Sequence, residues 1–179
     1  MNPGQSKRKA RLKVYMLLAG VALFAAGCGY RFGGEGAFPG GAKRLFVAVL
    51  ENRSIDTGLE SVMTNDLIYE ITRTRTNAYT GERALADAVM SGTIQETRTV
   101  AVSRLSSDVA LRRRVTAYVD LRLTDREGNV VWKVRRLSAN QEYDVVNDPA
   151  VTDQNRRNAL RSMSSKFAEK VVIRLTEEF

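Results

Sequence analysis

The spacing of hydrophobic and polar positions resolves residues 43–179 into strands and helices. Leu45-Phe46-Val47-Ala48-Val49-Leu50 is an unbroken apolar run of strand length, the pattern of a strand buried on both faces or of an interior strand. Glu51-Asn52-Arg53-Ser54 is a polar turn. Thr57-Gly58-Leu59-Glu60 then fits a capping box, with a Thr hydroxyl and a Glu three residues on. Leu59, Val62, Met63, Leu67 and Ile71 recur at helical spacing, which predicts an amphipathic helix over about 57–73. Residues 81–87 read as a short helical turn or loop. A long strand follows over 88–102, in which Gly92 marks a bulge or a close backbone contact. The pattern breaks over 104–111, a loop.

The clearest alternation comes next. Val115, Ala117, Val119, Leu121 and Leu123 occupy every second position, with Thr116, Tyr118, Asp120, Arg122 and Thr124 between them. Asp125-Arg126-Glu127-Gly128-Asn129 has turn chemistry, and Val130, Trp132 and Val134 then alternate with Val131, Lys133 and Arg135. Together they predict an antiparallel hairpin with one buried and one polar face. Trp132, the only tryptophan, reads as a core anchor. Leu160, Met163, Phe167, Val171 and Leu175 predict a C-terminal amphipathic helix over about 152–178, with Thr152 or Asp153 as N-cap. The expected fold is an α+β two-layer sandwich. Two helices pack on one face of a mixed, largely antiparallel four-stranded sheet.

The N-terminal stretch follows none of these periods. Lys7, Arg8, Lys9, Arg11 and Lys13 precede a 13-residue apolar run over 14–26, with no acid among them. Such a run reaches about 20 Å, short of a ~30 Å hydrocarbon core, so a cleaved secretory signal is the better reading. Ala25-Ala26-Gly27-Cys28 ends it and resembles the lipobox of bacterial lipoproteins, in which the cysteine is acylated. Cys28, the only cysteine, is therefore the expected lipid attachment, and several acyl chains suffice for stable anchoring. Gly29 at the second mature position favours the outer membrane by resemblance to enterobacterial sorting. Seven of the thirteen glycines lie between Gly27 and Gly41. The expected organisation is a signal peptide over 1–27, a Gly-rich lipid-anchored tether over 28–42 and an α/β domain over 43–179. Tyr30, Phe32 and Phe38 are unusual in a spacer.

Composition changes the functional picture chiefly by exclusion. The 179-residue chain carries a formal charge of +8, which invites a nucleic-acid reading. The signal holds five of those charges, and residues 28–179 retain 23 basic and 20 acidic residues, about +3, so nucleic acid is not the expected partner. With no histidine and one cysteine, a Ser-His-Asp triad, a Cys-His pair and an imidazole or multi-thiolate metal site are all excluded. No nucleophile elbow or phosphate-binding glycine loop ahead of a helix is present. The chain is expected to be no enzyme and to need no cofactor or metal.

The remaining signal is the placement of arginines. If strand 88–102 runs up, its loop is at the top, and the hairpin returns the chain to the top where the last helix begins. Arg104, Arg112, Arg113, Arg156 and Arg157 would then share one end of the sheet, where guanidiniums could bind phosphate or carboxylate groups. A solvated rim accounts for them equally well. Arg156-Arg157 at the start of the last helix would oppose its dipole.

Several segments, in this order and spacing, resemble the LPS-assembly lipoprotein (LptE) family. They are Cys28-Gly29-Tyr30-Arg31-Phe32-Gly33-Gly34, Glu51-Asn52-Arg53 with Gly58-Leu59-Glu60, residues 86–94, residues 123–132 and Glu142-Tyr143. The resemblance implies a two-layer domain inside the lumen of an LptD-type outer-membrane β-barrel. There it would aid barrel assembly and receive lipopolysaccharide bound for the cell surface. Basic residues bind lipopolysaccharide in the family, and Val102-Ser103-Arg104 looks like one such position. A polar lumen would suit Thr116, Asp120, Arg122, Lys133 and Arg135 on the outer hairpin face, as would solvent. Two other classes stay open. One is a lipoprotein that activates a peptidoglycan synthase or builds a secretion pore, and the other is a carboxylate-dependent periplasmic hydrolase.

Overall fold

The computed structural model describes residues 38–103 and 111–177. In chain order these form β1 (Leu45–Val47), β2 (Glu51–Asn52), α1 (Leu59–Thr74), β3 (Ala88–Ser103), β4 (Leu111–Asp125), β5 (Val130–Val145) and α2 (Pro149–Glu177). β1 and β2 both pair parallel with β3, Leu45 opposite Ala88 and Glu51 opposite Thr93, so they follow one another along a single edge. β3, β4 and β5 are antiparallel neighbours. The sheet is thus mixed and four strands wide, with both helices packed against it, the two-layer α+β arrangement that the periodicities predict. Met63, Leu67, Ile71, Met90, Ile94, Met163, Phe167 and Leu175 are fully buried between the layers. Among the described residues no helix is long and apolar enough to cross a membrane.

The apolar run at 45–50 is not an interior strand. Leu45, Val47 and Leu50 are buried, but Val49 is 69% exposed. The ladder breaks after Val47. Ala48 still donates its N–H to the Met90 carbonyl (2.9 Å), while Leu50 donates to the Thr64 hydroxyl on α1 (3.1 Å). That switch from sheet to helix changes which side chains face inward and leaves Val49 outside.

The hairpin forms as its alternation requires, with Val115, Ala117, Val119, Leu121, Leu123 and Trp132 all in the core. Register slips between Val119↔Leu137 and Leu121↔Val134, where β5 carries one extra residue. Arg136 sits in that bulge at φ 48°, and its N–H is held by Asp120 Oδ1 at 2.7 Å. Beyond it the buried positions of β5 become Leu137, Ala139 and Tyr143. Gly92 marks a close contact, as expected. A Cβ there would stand 2.4 Å from the Asp120 carbonyl oxygen. The nearest irregularity in β3 lies between Ile94 and Glu96 instead.

Both helix starts differ from expectation. In α1 the N-cap is Gly58 at φ 86°, with no side-chain cap. Only the glutamate half of the capping box operates, since Glu60 Oε2 accepts from the Gly58 N–H (3.1 Å) and from Asn52 Nδ2 (2.6 Å). α2 starts three residues before Thr152. Asp148 Oδ1 accepts from the N–H groups of Ala150 (2.8 Å) and Val151 (3.4 Å), and Pro149 supplies a first turn that needs no N–H. Thr152 instead exchanges hydrogen bonds with the Val146 backbone. Arg156 and Arg157 therefore lie about two turns into the helix, and the dipole no longer opposes them.

The chain enters the domain through buried residues. Phe38 and Ala42 belong to the core, and the Arg75 guanidinium lies 4.6 Å over the Phe38 ring.

Candidate functional site

Cys28 and Arg104 lie outside the described residues. The other predicted arginines do gather at the end of the sheet where β3 stops, β4 starts and β5 leads into α2, here the arginine end. They do not converge on one point there. Side chains alternate along β4, so Arg112 and Arg114 occupy the outer face while Arg113, in register with Tyr143, takes the helix-side face.

On the outer face the arginines are neutralised by facing acids. Arg112 pairs with Asp144 (3.2 Å) and more loosely with Glu142 (3.7 Å), and Arg114 donates two hydrogen bonds to Glu142. Arg156 is also committed. Its Nη1 donates to Asp56 Oδ1 at 2.6 Å, and Asp56 also accepts from the Thr97 hydroxyl at 2.6 Å. This hydrogen bond raises the guanidinium pKa and fastens α2 to the β2–α1 loop and β3. Arg113 and Arg157 are exposed and make no ion pair among the described residues. Arg157 donates to Gln154 and lines a groove of about 360 Å³ with Arg161, Leu160 and Ile55, the last of these 84% exposed.

Further down the outer face, Glu96 accepts from Arg98 (2.8 Å) and from Arg136 (2.9 Å) across the sheet. The same two guanidiniums lie 5.7 and 4.6 Å over the Tyr118 ring. Hydrogen bonds from Arg98 first and Arg136 second hold the Glu96 carboxyl below its usual range.

Toward the β4–β5 turn, the hairpin end, the pattern changes. Arg122 and Lys133 stand directly opposite one another in register, and Arg135 follows two residues along the same face. They line an open groove of about 640 Å³ with Val49, Val130 and Val134. The sequence places these cations on a polar face but does not single them out as a site. Counting outward from the five-residue turn would set Arg122 opposite Trp132. The register shift between Leu123 and Thr124 brings Lys133 there instead, an unfavourable pairing of two cations that the sequence does not announce.

Beside this groove Asp87 organises the hairpin end, accepting from the backbone N–H groups of Lys43 (3.1 Å) and Arg44 (2.9 Å) and from Arg126 (2.9 Å). Those bonds, the Arg44 N–H chief among them, lower its pKa.

Solved structures are similar to this chain. A minor lipoprotein from Acinetobacter baumannii is 15% identical, with a TM-score of 0.51 over 76% of this chain and 94% of that one. A Caulobacter crescentus CB15 protein described as a lipoprotein is 19% identical, with a TM-score of 0.49 over 73% and 89% of the two chains. The rare lipoprotein B of Shewanella oneidensis is 13% identical, with a TM-score of 0.48 over 72% and 94%. No curated protein matches the chain in sequence.

The lipopolysaccharide-assembly (LptE) family model matches residues 42–175, and the chain belongs to that family. Membership makes it a non-catalytic lipoprotein of lipopolysaccharide assembly, located in the cell envelope.

Proposed function

We propose that the chain, cleaved after residue 27 and acylated on Cys28, is held at the periplasmic side of the outer membrane. There it acts as plug and assembly partner of an LptD-type β-barrel and binds lipopolysaccharide on its way to the cell surface. The observation that carries this reading is the outer sheet face. It is polar and charged along its length, from Arg112 to Lys133, and among the described residues no layer covers it. A water-lined barrel interior is a suitable environment for such a face. At the arginine end, Arg113 and Arg157 make no ion pair among the described residues and suit phosphorylated groups, and Arg104 precedes Arg113 by nine residues in the chain. Arg112 would have to leave Asp144, and Arg156 would have to leave Asp56, so both serve geometry more than contact.

Affinity isolation of the full chain from membranes tests the partner. Recovery with a large β-barrel is the expected result. Recovery without one, with an inner-membrane enzyme or as a ring, sinks the proposal, the last two in favour of a synthase activator or a secretion pore. For the ligand, Arg104→Glu, Arg113→Glu and Arg157→Glu together should weaken lipopolysaccharide binding without unfolding the domain, since Arg113 and Arg157 make no ion pair among the described residues. Unchanged binding returns these arginines to a solvated rim.

A further inference from the structure

We propose that the groove at the hairpin end of the outer face is a phosphate-binding site, built from Arg122, Lys133 and Arg135 and separate from the arginine end. Three observations carry it. Arg122 and Lys133 are direct cross-strand neighbours, which brings two like charges within ~5 Å at their Cβ atoms and destabilises the hairpin. Among the described residues no acid bonds to them. Arg122 donates only to the Ser91 hydroxyl (3.0 Å), and Lys133 and Arg135 make no hydrogen bond or ion pair among the described residues.

The acids that line the same groove are already engaged. Glu51 is held by Arg53 (3.0 Å) and the Thr93 hydroxyl (3.1 Å), while Asp120 is held by Gln95 Nε2 (2.9 Å) and the Arg136 N–H (2.7 Å). Arg53 balances Glu51, and Asp120 offsets one of the three remaining cations, so a net positive charge faces the open groove.

Charge complementarity sets the occupant. Three cationic groups from two adjacent strands, with successive same-face residues ~7 Å apart along β5, carry more positive charge over a wider span than one carboxylate balances. They match the several anionic oxygens of a phosphate, which guanidinium binds bidentately and ammonium binds as a point charge. Exposed Val49 and Val130 give the groove an apolar border, which suits a phosphate carried on an amphiphile. A phosphorylated lipid headgroup has that chemistry. The inference rests on the lipopolysaccharide reading only for the source of the phosphate.

The test measures equilibrium binding of the full chain in non-ionic detergent. The probes are lipopolysaccharide, dephosphorylated lipopolysaccharide, phosphatidylglycerol vesicles and a polyglutamate peptide. Replacing Arg122→Gln, Lys133→Gln and Arg135→Gln together should weaken binding to phosphorylated lipopolysaccharide by about tenfold or more. Its Tm should stay at or above that of the native chain, because a repulsion is removed. Dephosphorylated lipopolysaccharide should bind both proteins alike. If the triple variant melts early, Lys133→Gln with Arg135→Gln, both fully on the surface, repeats the measurement.

Native lipopolysaccharide binding that the variant retains overturns the groove and leaves the proposed function standing. Absent lipopolysaccharide binding, with vesicle binding lost in the variant, supports the groove and sinks the lipopolysaccharide reading instead. A native chain that binds no phosphorylated probe, or a loss confined to polyglutamate, overturns the site as a phosphate site.

Discussion

The two ends of the outer sheet face carry similar side chains in opposite arrangements. At the arginine end, Arg112 and Arg114 look across to Glu142 and Asp144, so each cation meets an acid on the next strand. At the hairpin end, Arg122 looks across to Lys133, and the nearby acids are turned to other partners. A count of charges cannot separate these cases. The first arrangement stabilises the sheet modestly, because exposed pairs contribute about 0–1 kcal/mol. The second costs stability and leaves a field directed at solvent. An arginine cluster read from sequence is thus a weaker guide to binding than a cationic pair lacking its acid.

The largest effect should come from Gly92, which lets β3 approach β4 beneath the groove. Gly92→Ala places a Cβ 2.4 Å from the Asp120 carbonyl oxygen, and urea unfolding should show a loss of about 3 kcal/mol. A loss below half of that would mean the strands separate easily and the groove is not rigid.

Asp56→Ala should follow at about 2 kcal/mol, toward the lower side for a broken buried pair, since water reaches Arg156. It should also loosen the arginine end, read as faster amide exchange in the first turns of α2. Exchange that rises equally at the hairpin end would mean the two ends are not independent.

The sharpest contrast needs one neutralisation at each end. Glu142→Gln removes the partner of Arg114 and should cost roughly 0.5–1 kcal/mol. Lys133→Gln relieves Arg122 and should add a few tenths of a kcal/mol, about 0.3. Thermal melts that move in the same direction for both would erase the distinction between the two ends.

The smallest effect is in acid. The folded Glu96 carboxyl titrates below its ordinary value because Arg98 and Arg136 bond to it. Its stabilisation is therefore present above the unfolded carboxylate range and is lost as pH falls through the lower folded value. Glu96→Gln should lower the Tm slightly at neutral pH and converge with the native chain in acid, which makes the acid limb of the Tm–pH curve shallower. An acid limb of identical slope would show that Arg98 and Arg136 do not depend on that carboxylate.

Much of the architecture was legible because local period and burial agree. The strict alternation of β4 and the helical spacing of Leu160 to Leu175 each meet a single buried surface, and both elements form, the helix starting three residues earlier than expected. What was lost depends on partners far along the chain. Nothing beside Arg156 in sequence announces Asp56, and nothing near Val49 shows that the next residue will bond to Thr64 on α1. The bulge at Arg136 has no glycine to mark it, because Asp120 holds its backbone instead. The start of α2 was readable in Asp148-Pro149, where an acid cap precedes a proline. The groove was half legible, since the polar face follows from the alternation but the register shift beside the turn and the engagement of Glu51 and Asp120 do not.

Phe38 has a mechanical consequence. Its ring is buried under Arg75, and its N–H and carbonyl close a short loop with Ala42 and Gly41. Traction applied from the N-terminal side would reach this plug before it reached β1. The plug must be extracted before the pull can peel the short parallel edge strand from β3. The domain thus carries its own strain relief, which would spare the sheet from loads transmitted along the preceding chain.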